Sequence, residues 1–212
     1  KHLDRVIDLC ARAGIYTILD LHAVPGYQNQ DWHSDNPTHK ALFWVHKHFQ
    51  DRTANLWEHF AARYKGNPWV AGYNLINEPY DPTEKRIAPI YERLLETVRK
   101  IDPDHIIFLE GNRYSADFHM FGEPLPNVVY TNHLYALPGF IGGTGYPAEY
   151  NGTWYDIETL EEQYLERSEY MMRHKIPVWV GEFGPVYTNT ADDAWRYRLL
   201  REQLMVYNKY EA

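Results

Sequence analysis

The chain has 212 residues, a net charge of −8 at pH 7 and a single cysteine, Cys10. The acidic balance argues against a nucleic-acid partner, which needs a basic face, and the sequence contains no run of about 18 apolar residues that predicts a membrane span. A single cysteine excludes an internal disulfide and a cysteine-based metal site. We expect Cys10 to be a core residue of the first helix and not a reactive thiol.

Apolar periodicity divides the chain into alternating helices and strands. Amphipathic patterns predict helices at residues 1–14, 54–64, the second half of 83–101, 157–174 and 192–210. Apolar, β-branched runs predict strands at residues 15–22, 69–76, 105–110, 127–135 and 177–182. Residues 23–44 and 137–155 are predicted to be long loops rich in aromatic residues.

This alternation predicts an α/β fold with a parallel sheet, and the apolar strands are typical of strands covered on both faces. No glycine-rich phosphate fingerprint follows a strand, so the closed (β/α)8 TIM barrel is favoured over a dinucleotide-binding fold. Five predicted strands are fewer than the eight of a barrel, and the chain starts and stops within helices. We expect residues 1–212 to be a single partial barrel domain that lacks its natural N-terminus and folds poorly alone because strand edges are exposed.

Polar or ionisable residues stand at the carboxyl end of every predicted strand, where barrels keep their active sites. Glu78 and Glu182 are the strongest candidates, because each closes an apolar strand and precedes residues that break regular structure. Two carboxylates on opposite walls of a pocket suit glycoside hydrolysis, in which one protonates the leaving oxygen and the other attacks or activates water. A carboxyl separation of about 5–5.5 Å predicts retention, and about 6.5–9.5 Å predicts inversion.

Four motifs carry a family resemblance. LINEP at 75–79 and VWVGEFG at 178–184 resemble the acid/base and nucleophile motifs of glycoside hydrolase family 5, the cellulase and β-mannanase family of (β/α)8 barrels with two catalytic glutamates. DLH at 20–22 and HLY at 133–135 resemble the ends of that family's third and sixth strands. The resemblance covers nearly the whole chain and implies that its strands are about the third to the seventh of the barrel.

The resemblance implies roles for the two glutamates and their neighbours. Glu78 would act as the general acid and then base, and Glu182 as the nucleophile that forms a glycosyl-enzyme intermediate with net retention. Asn77 would hydrogen-bond the sugar 2-hydroxyl, and Tyr135 would donate to Glu182 and aim it.

His22 and His133 would hold sugar hydroxyls or orient the glutamates. The implied activity is retaining hydrolysis of a β-linked glucan, mannan or related β-glycoside. The expected partner is an oligo- or polysaccharide, no cofactor is expected, and a polymer-degrading enzyme of this kind would act outside the cell.

Several alternatives stay open. A related barrel could bind glycan without cleaving it, or hold a metal, for which His22 and His133 offer two ligands but the last strand offers no aspartate. No metal site is expected, since the histidines that cluster in sequence fit exposed helix and loop positions: His33, His39, His46, His48 and His59. Six loop aromatics are candidates for sugar subsites or for loop packing: Tyr27, Trp32, Tyr146, Tyr150, Trp154 and Tyr155. The triplet NGT at 151–153 matches a glycosylation acceptor but is common by chance.

Overall fold

The fold is described from a computed structural model that covers residues 1–137, 145–185 and 194–212. Parts of the predicted loop 137–155 and of the predicted helix 192–210 lie outside these ranges. The chain divides into a first unit, Lys1–Tyr130, and a second unit, Thr131–Ala212. A single domain over residues 1–212 stays a prediction.

The first unit alternates strands and helices as predicted. The second helix begins at Lys47 and not at residue 54, because residues 47–53 contain Phe49 as their one apolar residue and so show no apolar periodicity. One-turn 3-10 helices lie at Trp32–Ser34, Leu42–Trp44 and His119–Phe121. The other elements are α1 His2–Arg12, β1 Thr17–Asp20, α2 Lys47–Tyr64, β2 Val70–Asn74, α3 Ile87–Arg99, β3 Ile106–Glu110, the single turn α4 Asn112–Ser115, whose last three residues are left-handed, and the first residues of β4 Val128–Tyr135.

The three strands β1, β2 and β3 are hydrogen-bonded in that order and run parallel. Asp20 at the end of β1 is in register with Asn74 at the end of β2. A glycine is required at position 72, because a Cβ there would lie 2.2 Å from the carbonyl oxygen of Ile106 on β3. Since parallel strands present their carboxyl ends at one edge, the polar residues that follow β1, β2 and β3 share that edge.

The core of the first unit joins the helices to the sheet and also supports the chain beyond β2. One face of α3 is buried, including Tyr91 and Leu94, and so is Trp57 of α2. The indole N–H of Trp57 donates to the carbonyl of Leu75 (2.9 Å), and the hydroxyl of Tyr91 donates to that of Ile76 (3.1 Å). These bonds satisfy buried carbonyl groups where the strand ladder has ended, which fixes the backbone that leads to Glu78.

The second unit contains the end of β4 and the strand β7, which is its neighbour in the sheet. Its other elements are a hairpin of β5 Ala148–Tyr150 and β6 Thr153–Tyr155, the helix α5 Ile157–His174, β7 Val178–Gly184 and the helix α6 Ala194–Tyr210. A cluster of buried side chains joins β4, the hairpin and both helices: Leu134, Ala136, Tyr146, Tyr155, Leu160, Tyr164, Leu199, Val206 and Tyr207.

The hairpin replaces part of the predicted loop 137–155. Asn151 and Gly152 form its two-residue turn with φ of 50° and 79°, the left-handed pair that tight hairpins favour. The flanking strands of three residues were too short to be noticed by apolar alternation. Tyr146 and Tyr155 are buried in the core of this unit, so the alternative that they line a sugar subsite is wrong.

Cys10 is partly buried on α1. None of the helices within the described ranges is long and apolar enough to cross a membrane.

A buried carboxylate, Asp102, precedes the amino end of β3. It accepts hydrogen bonds from the hydroxyl of Tyr73 (2.7 Å) and from the ring Nδ1 of His105 (2.5 Å). Burial alone would raise the pKa of Asp102, but these hydrogen bonds outweigh it and hold the pKa below its usual value. A lowered pKa in the folded state stabilises the protein above the carboxyl group's unfolded pKa, and this stabilisation is lost as the pH falls through the folded value.

We expect Asp102→Asn to lower the free energy of unfolding by about 3 kcal/mol at pH 7, because two buried partners lose a charged acceptor. The deficit should shrink as the pH falls below about 4, where the wild-type carboxylate is itself protonated. Urea denaturation at pH 7 and at low pH measures both effects. Glu96→Gln, which removes an exposed ion pair with Lys100, is the control and should leave the free energy of unfolding nearly unchanged. An equal, small loss in both variants would contradict this account.

Candidate active site

Glu78 stands where the chain turns away from the sheet after β2. The chain remains paired beyond the strand, since the N–H of Leu21 donates to the carbonyl of Asn74 (3.1 Å) and that of Asn77 to the carbonyl of Leu21 (3.2 Å). Glu78 then adopts a left-handed backbone with φ of 42°, which is uncommon for a residue with a side chain. The turn away from the sheet therefore begins at the glutamate itself and not at Pro79, which follows it.

The peptide groups on both sides of Glu78 are held by side chains. Its N–H donates to Oε2 of the fully buried Glu110 (2.7 Å), and its carbonyl accepts from the amide of Asn29 (2.9 Å). The other carboxylate oxygen of Glu110 accepts from the amide of Asn74 (2.5 Å), which also donates to Asp20 (3.0 Å). Strand-end polar groups thus converge on the backbone of Glu78.

His33 contacts the carboxylate of Glu78, with its Nδ1 3.2 Å from Oε2. The expectation that His33 is an exposed loop residue is wrong, whereas His39, His46, His48 and His59 are exposed. The loop that carries His33 is folded on itself, because the carbonyl of Asn29 accepts from Ser34 (3.2 Å) and from Asn36 (2.8 Å). These bonds join residues of no regular pattern, so the sequence carried no signal that placed His33 here.

Tyr114 borders His33, with ring centres 6.1 Å apart. Its hydroxyl donates to Asp31 (2.5 Å) and accepts from Gln30 (2.5 Å). Burial and the Asp31 carboxylate raise the pKa of Tyr114, so the phenol keeps its proton and remains a donor. This contact joins the loop before α2 to the segment after β3.

The other predicted residues of the first unit lie around the same strand ends. His22 is half exposed, and its Nδ1 lies 2.9 Å from Oδ2 of Asp20. Trp32 is 84% exposed beside His33, with the rings edge to face and 5.9 Å apart. Asn77 is 1% exposed, and its amide nitrogen has no hydrogen-bond partner among the described residues. A buried donor without a partner is costly, so this amide is available to an acceptor on a bound molecule.

Glu182 lies near the end of β7 in the second unit. The hydroxyl of Tyr135 on β4 donates to its Oε2 (2.9 Å), and the Nδ1 of His133 lies 3.6 Å from the same oxygen. Glycine is needed at position 181, because a Cβ there would lie 2.5 Å from the hydroxyl oxygen of Thr131. The close approach of β7 to β4 that this glycine permits brings Glu182 within reach of Tyr135.

Helices hold the end of β4 in the second unit. The amide of Gln203 on α6 donates to the carbonyl of Leu134 (2.9 Å), and the guanidinium of Arg167 on α5 donates to the carbonyl of His133. Buried carbonyl groups at the strand end are therefore satisfied by side chains from both helices. Tyr135 and His133 are placed by a backbone that is fixed on both sides.

One group of possible metal ligands in the first unit comprises Glu84, Asp117 and His119. Arg113 already pairs with this group, since its guanidinium lies 2.7 Å from Glu84 and 3.8 Å from Asp117. His119 contacts both carboxylates, and the Asp117 hydrogen bond raises the pKa of the imidazole. Protein cations therefore neutralise these carboxylates, and we assign no metal to them.

The left-handed backbone of Glu78 generates a prediction that needs no assay of activity. Left-handed φ costs roughly 1–2 kcal/mol for a residue with a Cβ and little for glycine. We therefore expect Glu78→Gly to be more stable than Glu78→Ala. Its free energy of unfolding, measured by urea denaturation, should be about 1 kcal/mol higher.

The control is the same pair of substitutions at Glu92, for which we expect the opposite order of stability. Glu92 is exposed within the right-handed helix α3, where glycine is about 1 kcal/mol less stable than alanine. If glycine were also the less stable residue at position 78, the left-handed conformation would be wrong.

Comparison with known proteins places these motifs in a family. Residues 1–210 match the family model Cellulase (glycosyl hydrolase family 5). A β-xylosidase from Phanerodontia chrysosporium is 46% identical over 99% of this chain, which spans 46% of that relative. Cellodextrinase A from Ruminococcus flavefaciens is 26% identical over 93% of this chain, which spans 61% of it. The chain therefore spans about half to three fifths of these relatives.

Solved structures show the same fold. A crystal structure titled as a glycoside hydrolase has a TM-score of 0.79 at 24% identity, over 99% of this chain and 67% of its own. Thermotoga maritima Cel5A in complex with mannotriose has a TM-score of 0.76 at 20% identity, with the same coverage. The predicted partial (β/α)8 barrel is thereby confirmed. The chain belongs to the cellulase family, glycosyl hydrolase family 5.

Proposed function

We propose that this chain carries both catalytic carboxylates of a retaining hydrolase of β-glycosides. The observation that carries the proposal is the contact of Tyr135 with Glu182, in which the hydroxyl lies 2.9 Å from Oε2. A donor on one carboxylate oxygen fixes the orientation of the group and leaves the other oxygen available to attack.

The proposed reaction has two steps. Glu182 attacks the anomeric carbon and forms an ester bond as the glycosidic bond breaks, while Glu78 gives its proton to the leaving oxygen. Water then attacks the anomeric carbon and gives a proton to Glu78, and the bond to Glu182 breaks. Two displacements at one carbon restore its configuration.

The surroundings of Glu78 and Asn77 support this assignment. The carboxylate of Glu78 is mostly buried and contacts the ring Nδ1 of His33. The buried amide of Asn77 has no partner among the described residues, and a sugar 2-hydroxyl is an acceptor of suitable size. Hydrogen bonds to the 2-hydroxyl strengthen in the transition state of glycoside hydrolysis.

The relatives and Trp32 support a proposal for the substrate class. The 46% identical relative is named a β-xylosidase, and others are named endoglucanases and cellodextrinase. We therefore propose a β-linked xyloside, glucoside or related glycan. The exposed ring of Trp32 offers a flat apolar surface of the kind on which sugar rings stack. With a polymeric substrate, the protein would act outside the cell.

The test uses aryl β-xyloside, β-glucoside, β-mannoside and β-cellobioside with the purified protein. We expect Glu182→Gln to lower kcat on the best substrate on the order of 10⁴-fold or more, because no covalent intermediate forms. Glu78→Ala should lose about 10²- to 10⁴-fold on a poor leaving group, which needs the acid. On an activated aryl glycoside, breakdown of the glycosyl-enzyme limits the rate of this variant, and azide should raise that rate because it attacks the anomeric carbon without a general base.

Binding to the glycan, measured by calorimetry, should persist in Glu182→Gln. The exposed Glu92→Gln is the control and should match the wild type. Glycan binding without hydrolysis in the wild type would identify a binding relative of the family. Unchanged hydrolysis in Glu182→Gln would contradict the proposed nucleophile.

A further inference from the structure

We infer that Glu110 and Asn112, together with the left-handed turn that follows them, form a backbone clamp that positions the acid/base Glu78. The clamp is defined as Glu110–Ser115. This inference rests on the proposed function and assigns a role to a third strand-end carboxylate. Glu110 is a positioning residue in this account, since it contacts the backbone of Glu78 and not the substrate.

Glu110 uses both carboxylate oxygens inside the protein. Its Oε2 accepts the backbone N–H of Glu78 at 2.7 Å, and its Oε1 accepts the amide of Asn74 at 2.5 Å. The side chain is fully buried, and hydrogen bonds to a charged acceptor are stronger than neutral ones. These two bonds therefore fix the Glu78 Cα relative to the ends of β2 and β3.

Asn112 holds the same loop three residues further on. Its amide oxygen accepts the N–H of Asp81 (2.9 Å), and its amide nitrogen donates to the carbonyl of Asp81 (3.1 Å). The N–H of Tyr114 donates to the carbonyl of Pro79 (3.3 Å). The clamp therefore contacts the backbone of the acid/base loop at residues 78, 79 and 81.

The geometry of the clamp is strained. Arg113, Tyr114 and Ser115 have φ of 54°, 60° and 63°, three consecutive left-handed residues without a glycine. A glycine is also required at position 111, two residues before Arg113, because a Cβ there would lie 2.4 Å from the carbonyl oxygen of Asp117. Strain of this kind persists where surrounding contacts determine the conformation, and it concentrates at functional sites.

If the clamp positions Glu78, its loss has a kinetic effect that a loss of stability alone would not produce. If the clamp aims Glu78, its loss impairs the proton transfer to the leaving oxygen and spares reactions that need no such transfer. A 2,4-dinitrophenyl leaving group departs without protonation, whereas a phenyl leaving group requires it. The ratio of the two rates therefore reports on the placement of the acid.

The test compares both aryl glycosides in Glu110→Ala and Glu110→Gln. We expect Glu110→Ala to lower kcat/KM about 10²-fold on the phenyl glycoside and less than about fivefold on the dinitrophenyl glycoside. Glu110→Gln keeps an acceptor for the Glu78 N–H and should recover about tenfold of the phenyl rate. Asp102→Asn is the matched control, a buried carboxylate at the other end of β3, and should leave the ratio unchanged while lowering Tm. Equal falls on both substrates in Glu110→Ala would overturn the inference.

A second measurement does not depend on activity. The clamp predicts that the amide hydrogens of residues 78 and 81 exchange at least about 100-fold more slowly than in an unstructured chain. Glu110→Ala should abolish protection at 78 and keep it at 81, and an unprotected Glu78 amide in the wild type would overturn the clamp. Failure of the proposed function is seen separately, as an inactive wild type or as full activity in Glu182→Gln.

Discussion

The hydrogen bond from the backbone N–H of Glu78 to the buried carboxylate of Glu110 is the interaction on which the placement of Glu78 depends. This bond links the chain after β2 to the end of β3. Because the spacing of the parallel strands is fixed, the bond also fixes the position of Glu78. The left-handed backbone of Glu78 needs such support, because its intrinsic cost is roughly 1–2 kcal/mol. The core reaches the same segment through Trp57 and Tyr91, which bind its carbonyl groups.

In the second unit, Glu182 is held in position by a contact with its side chain. Gly181 allows β7 to approach β4, and Tyr135 then donates directly to Glu182. One glutamate is held by its main chain, and the other is oriented by a hydroxyl on its carboxylate. This difference matches the proposed roles, since an acid must reach a leaving oxygen and a nucleophile must present one lone pair along a defined line.

Much of the fold and the centre of the site could be predicted from the sequence, for reasons that are local. Apolar runs mark strands, and strand ends in a parallel sheet share one edge, so the positions of Glu78, Asn77 and His22 at that edge could be predicted. His33 was missed because its place depends on hydrogen bonds within an irregular loop. The turn at Arg113, Tyr114 and Ser115 gave no signal, since left-handed residues are usually glycine or asparagine. The hairpin turn at Asn151 and Gly152 did carry a signal, which the glycosylation triplet obscured.

The central claim is that Glu182 forms a covalent bond to the sugar, and trapping that bond tests it most directly. The protein would be incubated with a 2-deoxy-2-fluoro β-glycosyl fluoride of the preferred sugar, digested, and its peptides sequenced by mass spectrometry. The account predicts one added glycosyl group on Glu182 and loss of activity in proportion to labelling. A label on another residue, or hydrolysis with an inverted product and no label, would contradict it.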